Sequence, residues 1–115
     1  MTIDREALDN LLEITGGDPE FLDELIETYL ADAEEQIAAM REALADGHDA
    51  ALMRPAHSLK SNSANVGATV LAELCRSIEL DARNGAVPDA AARLETVETE
   101  FANVRVALQE ARARA

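Results

Sequence analysis

Aromatic residues are scarce in this sequence: one Tyr, two Phe and no Trp, together 3% of 115 residues. Strands draw on aromatic and β-branched side chains, so a chain this rich in alanine points instead to closely packed helices. Cysteine is nearly absent too. Cys75 stands alone, so no internal disulfide can form and a reducing, cytoplasmic setting is expected. No apolar run approaches the length of a membrane span. The opening MTIDREALDN carries acids and lacks the hydrophobic stretch of a signal peptide. Cations are few. Ten Lys and Arg stand against 23 Asp and Glu, a formal net charge of −13. That charge repels phosphate backbones and anionic lipid, which argues against nucleic-acid and membrane partners. Nucleophile elbows, phosphate-binding glycine loops and cysteine pairs are all missing. Nor does a carboxylate–histidine pair recur at the i, i+3 or i, i+4 spacing of a metal-binding bundle, so no metal site and no bound cofactor are expected.

What is present is a helical pattern. Hydrophobic residues make up 48% of the chain, enough for one modest core in a single domain spanning residues 1–115. Three punctuation points, TGGD at 15–18, DGHD at 46–49 and NGAVPD at 84–89, mark the breaks. A short first helix is predicted from about Asp4 to Ile14. A long second helix opens with Asp18 as N-cap and Pro19 at its first position. It carries Leu22, Leu25, Ile26, Tyr29, Ala33, Ile37, Met40 and Leu44 as one apolar stripe. The third is predicted over about Asp49–Asn65 and the fourth over Ala68–Asn84, with Leu71, Leu74, Cys75, Ile78 and Ala82 facing inward. Cys75 thus reads as a small buried hydrophobe, with a reactive thiol as the alternative. The fifth runs from near Pro88 to about Arg112 on a seam of Leu94, Val97, Phe101, Val104 and Leu108. Short loops between long helices predict an all-α, antiparallel up-down four-helix bundle, with the short first helix capping one end through Ile3, Leu8, Leu11 and Leu12.

One stretch looks badly made for a helix. PAHSLKSNSANVG, residues 55–67, mixes proline, small polar residues and a closing glycine. Its core face is nonetheless intact, set by Leu52, Ala56, Leu59, Ser63 and Val66. With the centre of that stripe at zero, His57 falls about 140° away, Ala64 about 120°, Met53 about 100° and Lys60 about 80°. Ser61 lies one turn beyond His57. The other histidine, His48, sits in a loop beside Gly47 and reads as surface. An exposed imidazole such as His57 is either inert or a nucleophile, because the ring keeps a neutral fraction near neutral pH. Lys60 is either a solvated charge or a cation placed to neutralise a phosphoryl group. Pro55, if interior to the helix, costs about 3 kcal/mol and is expected to kink the axis, pushing His57 outward.

At these residues a resemblance appears. AHSLKSNSANVGA followed by LAELCRSIE resembles the histidine-containing phosphotransfer (HPt) domain of multistep two-component signalling. That family shows A-H-x-L-K-G-S/A-S/A-x-x-hydrophobic-G-A. His57, Leu59, Lys60, Ser63, Val66, Gly67 and Ala68 match it, and LLEITGGDPEFLDELIETYL resembles the usual entry into the first long helix. The likeness covers about residues 8 to 85. It implies a phosphocarrier with no kinase activity of its own. His57 would accept a phosphoryl group on Nε2 from a receiver-domain aspartate or a histidine kinase and relay it to a response regulator. Lys60 would stabilise that group, and Glu79, in the position where the family often has Gln or Glu, would orient the imidazole; a plain solvated acid is its alternative. Mg²⁺ would sit on the partner receiver only. Partners implied are response-regulator receiver domains and a hybrid or histidine kinase, met by a monomer, with Met53, Ser61, Ala64 and Gly67 at the docking face. Ser61 departs from the family glycine and projects where a receiver would approach. A helical adaptor that binds receivers without phosphotransfer, and a module cut from a larger sensor kinase, are the competing readings.

Overall fold

The structure is a computed structural model and describes residues 3–114. Five α-helices account for it: α1 (Arg5–Ile14), α2 (Pro19–Ala45), α3 (Met53–Asn65), α4 (Thr69–Arg83) and α5 (Ala90–Arg114), with no strand among the described residues. Helices α2 to α5 form the bundle and α1 lies across one end.

The local chemistry sets the boundaries. Asp4 and Asp18 cap α1 and α2, each accepting a hydrogen bond on Oδ1 from the backbone N–H two residues on, at 3.0 Å. These bonds satisfy donors that a helix start leaves orphaned. Helix α3 ends on Gly67, whose φ of 81° places it in the left-handed region. The Ala68 N–H then reaches back to the Ser63 carbonyl at 2.8 Å, a glycine-terminated helix end. The Gly67 carbonyl in turn accepts from the Asp4 N–H at 2.6 Å, so the α3–α4 turn is the anchor for the start of α1.

Packing follows the predicted stripes. Leu22, Ile26, Met40, Leu59, Leu71, Val97, Val104, Leu108 and Cys75 are all but sealed from water, while Leu25, Leu44 and Leu74 are only half-buried. Ser63 sits in the core stripe because its hydroxyl pairs with the Tyr29 hydroxyl at 2.8 Å, so neither buried polar group is left unsatisfied. Helices α3 and α4 share the most extensive contact of any pair. Both helices bury small residues, Ala56 and Ser63 on α3 and Cys75 and Ala82 on α4.

Two expectations are corrected. The segment 49–65 is not one α-helix: Asp49–Leu52 is a 3₁₀ turn and α3 begins at Met53. Asp49 is held outside the helix, its carboxylate accepting from the Val87 N–H of the α4–α5 loop at 2.9 Å. Pro55 therefore lies in the first turn of α3, where a missing N–H breaks no helical ladder. It is buried, and the cost expected of a proline interior to an α-helix does not arise.

Candidate functional site

The α3–α4 contact decides what stands beside His57. Leu59 and Ala56 are buried against the core, so the intervening His57 faces out and its side chain is 58% exposed. Glu79 is on α4, one turn after the buried Cys75, and points back toward α3. Its exposure is only 3%. A buried carboxylate must be paired, and this one is: His57 Nδ1 lies 2.7 Å from Oε2, Lys60 Nζ donates to Oε1 at 2.7 Å, and Arg83 Nη2 donates to Oε2 at 3.1 Å.

The protonation states follow. An ionised carboxylate accepts hydrogen bonds and donates none. Chiefly the Lys60 hydrogen bond, helped by that from His57, holds the Glu79 carboxyl below the usual carboxylate range, against burial pushing the other way. The proton in the short contact is therefore on Nδ1, and in the neutral ring Nε2 carries the lone pair. The result is an exposed imidazole, fixed in orientation and tautomer, with Nε2 turned away from its anchor. A cation on the same helix stands one turn on.

The other residues singled out from the sequence divide. Lys60 is not a free solvated charge, since its side chain is 29% exposed and tied to Glu79. Met53, Ser61 and Ala64 are exposed, on α3 with His57. Gly67 is buried beneath α1: a Cβ there would lie 2.9 Å from both Ala7 Cβ and the Asp4 carbonyl oxygen. It cannot belong to a docking face, and its role is to let α1 cross closely. Burial pushes the Cys75 thiol up to about 12, which removes the thiolate a reactive cysteine needs. His48 is exposed in its loop, away from these contacts. Among the described residues, no group of three or more His, Cys, Asp or Glu side chains is placed to hold a metal ion.

Two features escaped the sequence reading. Arg83 completes the Glu79 cluster, and its i+4 spacing from Glu79 was the available signal. Phe21 is the other. It lies off the core stripe and is 46% exposed, an unusual use of one of only two phenylalanines. With Leu11, Leu25, Asn62 and Val66 it lines an apolar groove of about 430 Å³ between α1, α2 and α3. On the edge of that groove, Asp32 accepts from Asn62 Nδ2 at 2.7 Å and from Gln36 Nε2 at 3.2 Å.

Two comparisons with known proteins bear on the family. The sequence model of the Hpt domain matches residues 24–107. Histidine-containing phosphotransfer protein B (HptB) from Pseudomonas aeruginosa PAO1 is similar in structure, with a TM-score of 0.89 and 36% sequence identity over 99% of this chain and 96% of that one. A search of curated proteins found no match. A family match over most of the chain and a full-length structural likeness lead to one conclusion: the chain belongs to the Hpt domain family, the histidine-containing phosphotransfer proteins of phosphorelay signalling.

Proposed function

We propose that His57 is the phosphoacceptor, and that its Nε2 takes a phosphoryl group from the aspartyl phosphate of a receiver domain and returns it to another. The observation that supports this most directly is the 2.7 Å contact of Nδ1 with the buried Glu79. It fixes the tautomer that presents a lone pair on the exposed nitrogen. Lys60, one turn on, is the cation that meets the incoming phosphoryl oxygens. Catalytic stabilisation of the transferring group belongs to the receiver and the Mg²⁺ it carries.

The partner meets the α3 face at Met53, Ser61 and Ala64 and continues over the groove beside Phe21. This face suits an acidic receiver site, because Arg54 lies one turn before His57 and Lys60 one turn after it on α3, and Arg83 pairs with the Glu79 that holds the ring, on a chain whose formal charge is −13. A hybrid or histidine kinase supplies the phosphoryl group through its own receiver. The chain acts as one monomeric module in the cytoplasm. No helix among the described residues is long and apolar enough to cross a membrane, and the one cysteine is a buried free thiol.

The test is transfer from a phosphorylated receiver. Acid-labile, base-stable phosphate is expected on the wild type and on His48→Gln, and none on His57→Gln. Label on His57→Gln, or loss of label on His48→Gln with the fold intact, would overturn the assignment. Binding of the receiver without any transfer would favour an adaptor.

A further inference from the structure

Glu79 is a carboxylate in a place where an amide would also orient the ring, and the difference matters once phosphate is attached. In the free ring Nδ1–H donates to Oε2 and Nε2 holds the lone pair. Bonding phosphorus to Nε2 makes a second choice necessary. A neutral phosphoimidazole has its remaining lone pair on Nδ1. That lone pair would then face a carboxylate oxygen at 2.7 Å, acceptor against acceptor, beside a group with only 3% exposure. Such a contact needs a proton in it.

That proton can sit on Nδ1 or on Glu79. Both Glu79 oxygens already accept from cations, Oε1 from Lys60 and Oε2 from Arg83, and a protonated carboxyl would turn away from at least one of them. On α3, Arg54 stands one turn before His57 and is also cationic. On α2, Asp32 is engaged by Asn62 and Gln36. On α5, Arg93 is engaged by Asp81 and Ser77.

Building on the assignment of His57 as phosphoacceptor, we propose that Glu79 keeps the phosphorylated ring protonated at Nδ1. The carrier then holds its cargo as a phosphoimidazolium, the form from which the phosphoryl group leaves. The proton inventory is constant through the cycle. In loading, the Nε2 lone pair attacks phosphorus, the Nε2–P bond forms, and the P–O bond to the donor aspartate breaks with its electron pair left on that carboxylate. In unloading, an acceptor carboxylate oxygen attacks phosphorus and the Nε2–P pair returns to nitrogen. The ring departs as the neutral Nδ1–H tautomer rather than as an imidazolide anion. The Nδ1 proton stays in the Glu79 contact throughout, and no proton transfer is needed in either direction.

The decisive measurement uses the phosphorylated wild-type chain, loaded from a receiver domain and followed by ¹⁵N NMR of the histidine ring. Nδ1 is expected to show the protonated, pyrrole-type shift up to at least about pH 8, well above the ordinary imidazole range. Glu79→Gln, whose amide can donate to a bare Nδ1, is expected to show the pyridine-type shift at the same pH. It should also hold its phosphate about tenfold longer against water, with the difference growing as pH rises. A pyridine-type Nδ1 in the phosphorylated wild type, or equal phosphate lifetimes in the two proteins, would overturn the proposal while leaving His57 the acceptor. Failure to load any phosphate on His57 would overturn both. The wild-type spectrum decides the matter even if Glu79→Gln folds poorly.

Discussion

At the scale of single residues, the site is a short chain of charges hung on one buried carboxylate. Lys60→Ala removes one donor and leaves Glu79 with His57 and Arg83. Transfer from a phosphorylated receiver is expected to slow by about 10- to 100-fold, the worth of one hydrogen bond to a charged group. Because the partner it leaves, Glu79, is buried while Lys60 itself is 29% exposed, and His57 and Arg83 still hold that carboxylate, stability measured by urea titration should fall by about 1–3 kcal/mol. Glu79 also leaves a mark on the pH dependence of folding. Its carboxyl, chiefly through Lys60, sits below its ordinary value of 4.5. The unfolded chain therefore takes up this proton at a higher pH than the folded one. The stabilisation is whole above the ordinary value and is lost as pH falls through the lowered folded value. The difference in unfolding free energy between wild type and Glu79→Gln should be flat near neutral pH and narrow below about pH 4.5.

At the scale of elements, one glycine and one proline change their meaning with context. Gly67 ends α3 at a φ of 81° and lies under Ala7 and Asp4 of the α1 entry, whereas Gly85 has a φ of 99° and open space around it. Gly85→Ala should cost only the backbone strain, about 1–2 kcal/mol. Gly67→Ala adds the clash and should cost about 2–4 kcal/mol, with amide exchange in α1 accelerating more than in α5. Equal costs would mean that α1 is not anchored there. Pro55→Ala should stay within about 1 kcal/mol and leave phosphotransfer unchanged, since Pro55 begins α3 rather than interrupting it.

At the scale of the whole molecule, the long helices α2 and α5 run antiparallel and are laced by ion pairs. Arg41 meets Glu98, Arg105 meets Glu34, and Arg112 meets Asp23 and Glu27. Each exposed pair is worth little alone. Their context is a chain of formal charge −13, where every cation also relieves repulsion among acids. Replacing Arg41, Arg105 and Arg112 together by Gln should lower stability by about 1–3 kcal/mol at low salt, and the deficit should shrink in about 0.5 M salt as both effects are screened. A deficit that does not respond to salt would mean that the arginine stems, not the charges, hold the two helices together.

Much of this was legible in order along the chain. Apolar residues at helical spacing placed the Leu22–Met40 and Leu94–Leu108 stripes, because burial imposes the period of a helix on any sequence that must hide one face. The same geometry put His57 outside without any knowledge of its neighbours. What the chain order could not show was contact between helices. That Glu79 is buried and triply paired, that Arg83 joins it, that Phe21 opens a groove beside α3, and that Gly67 lies under α1 instead of facing a partner all depend on how α1, α2 and α4 settle against α3. Pro55 belongs to the same class, since its cost turned on where a 3₁₀ turn gave way to an α-helix. Periodicity is a property of one helix and can be read from one segment. The charge state of a carboxylate, the tautomer of an imidazole and the room above a glycine are set by atoms far apart in sequence, and only the packed bundle brings those atoms within reach.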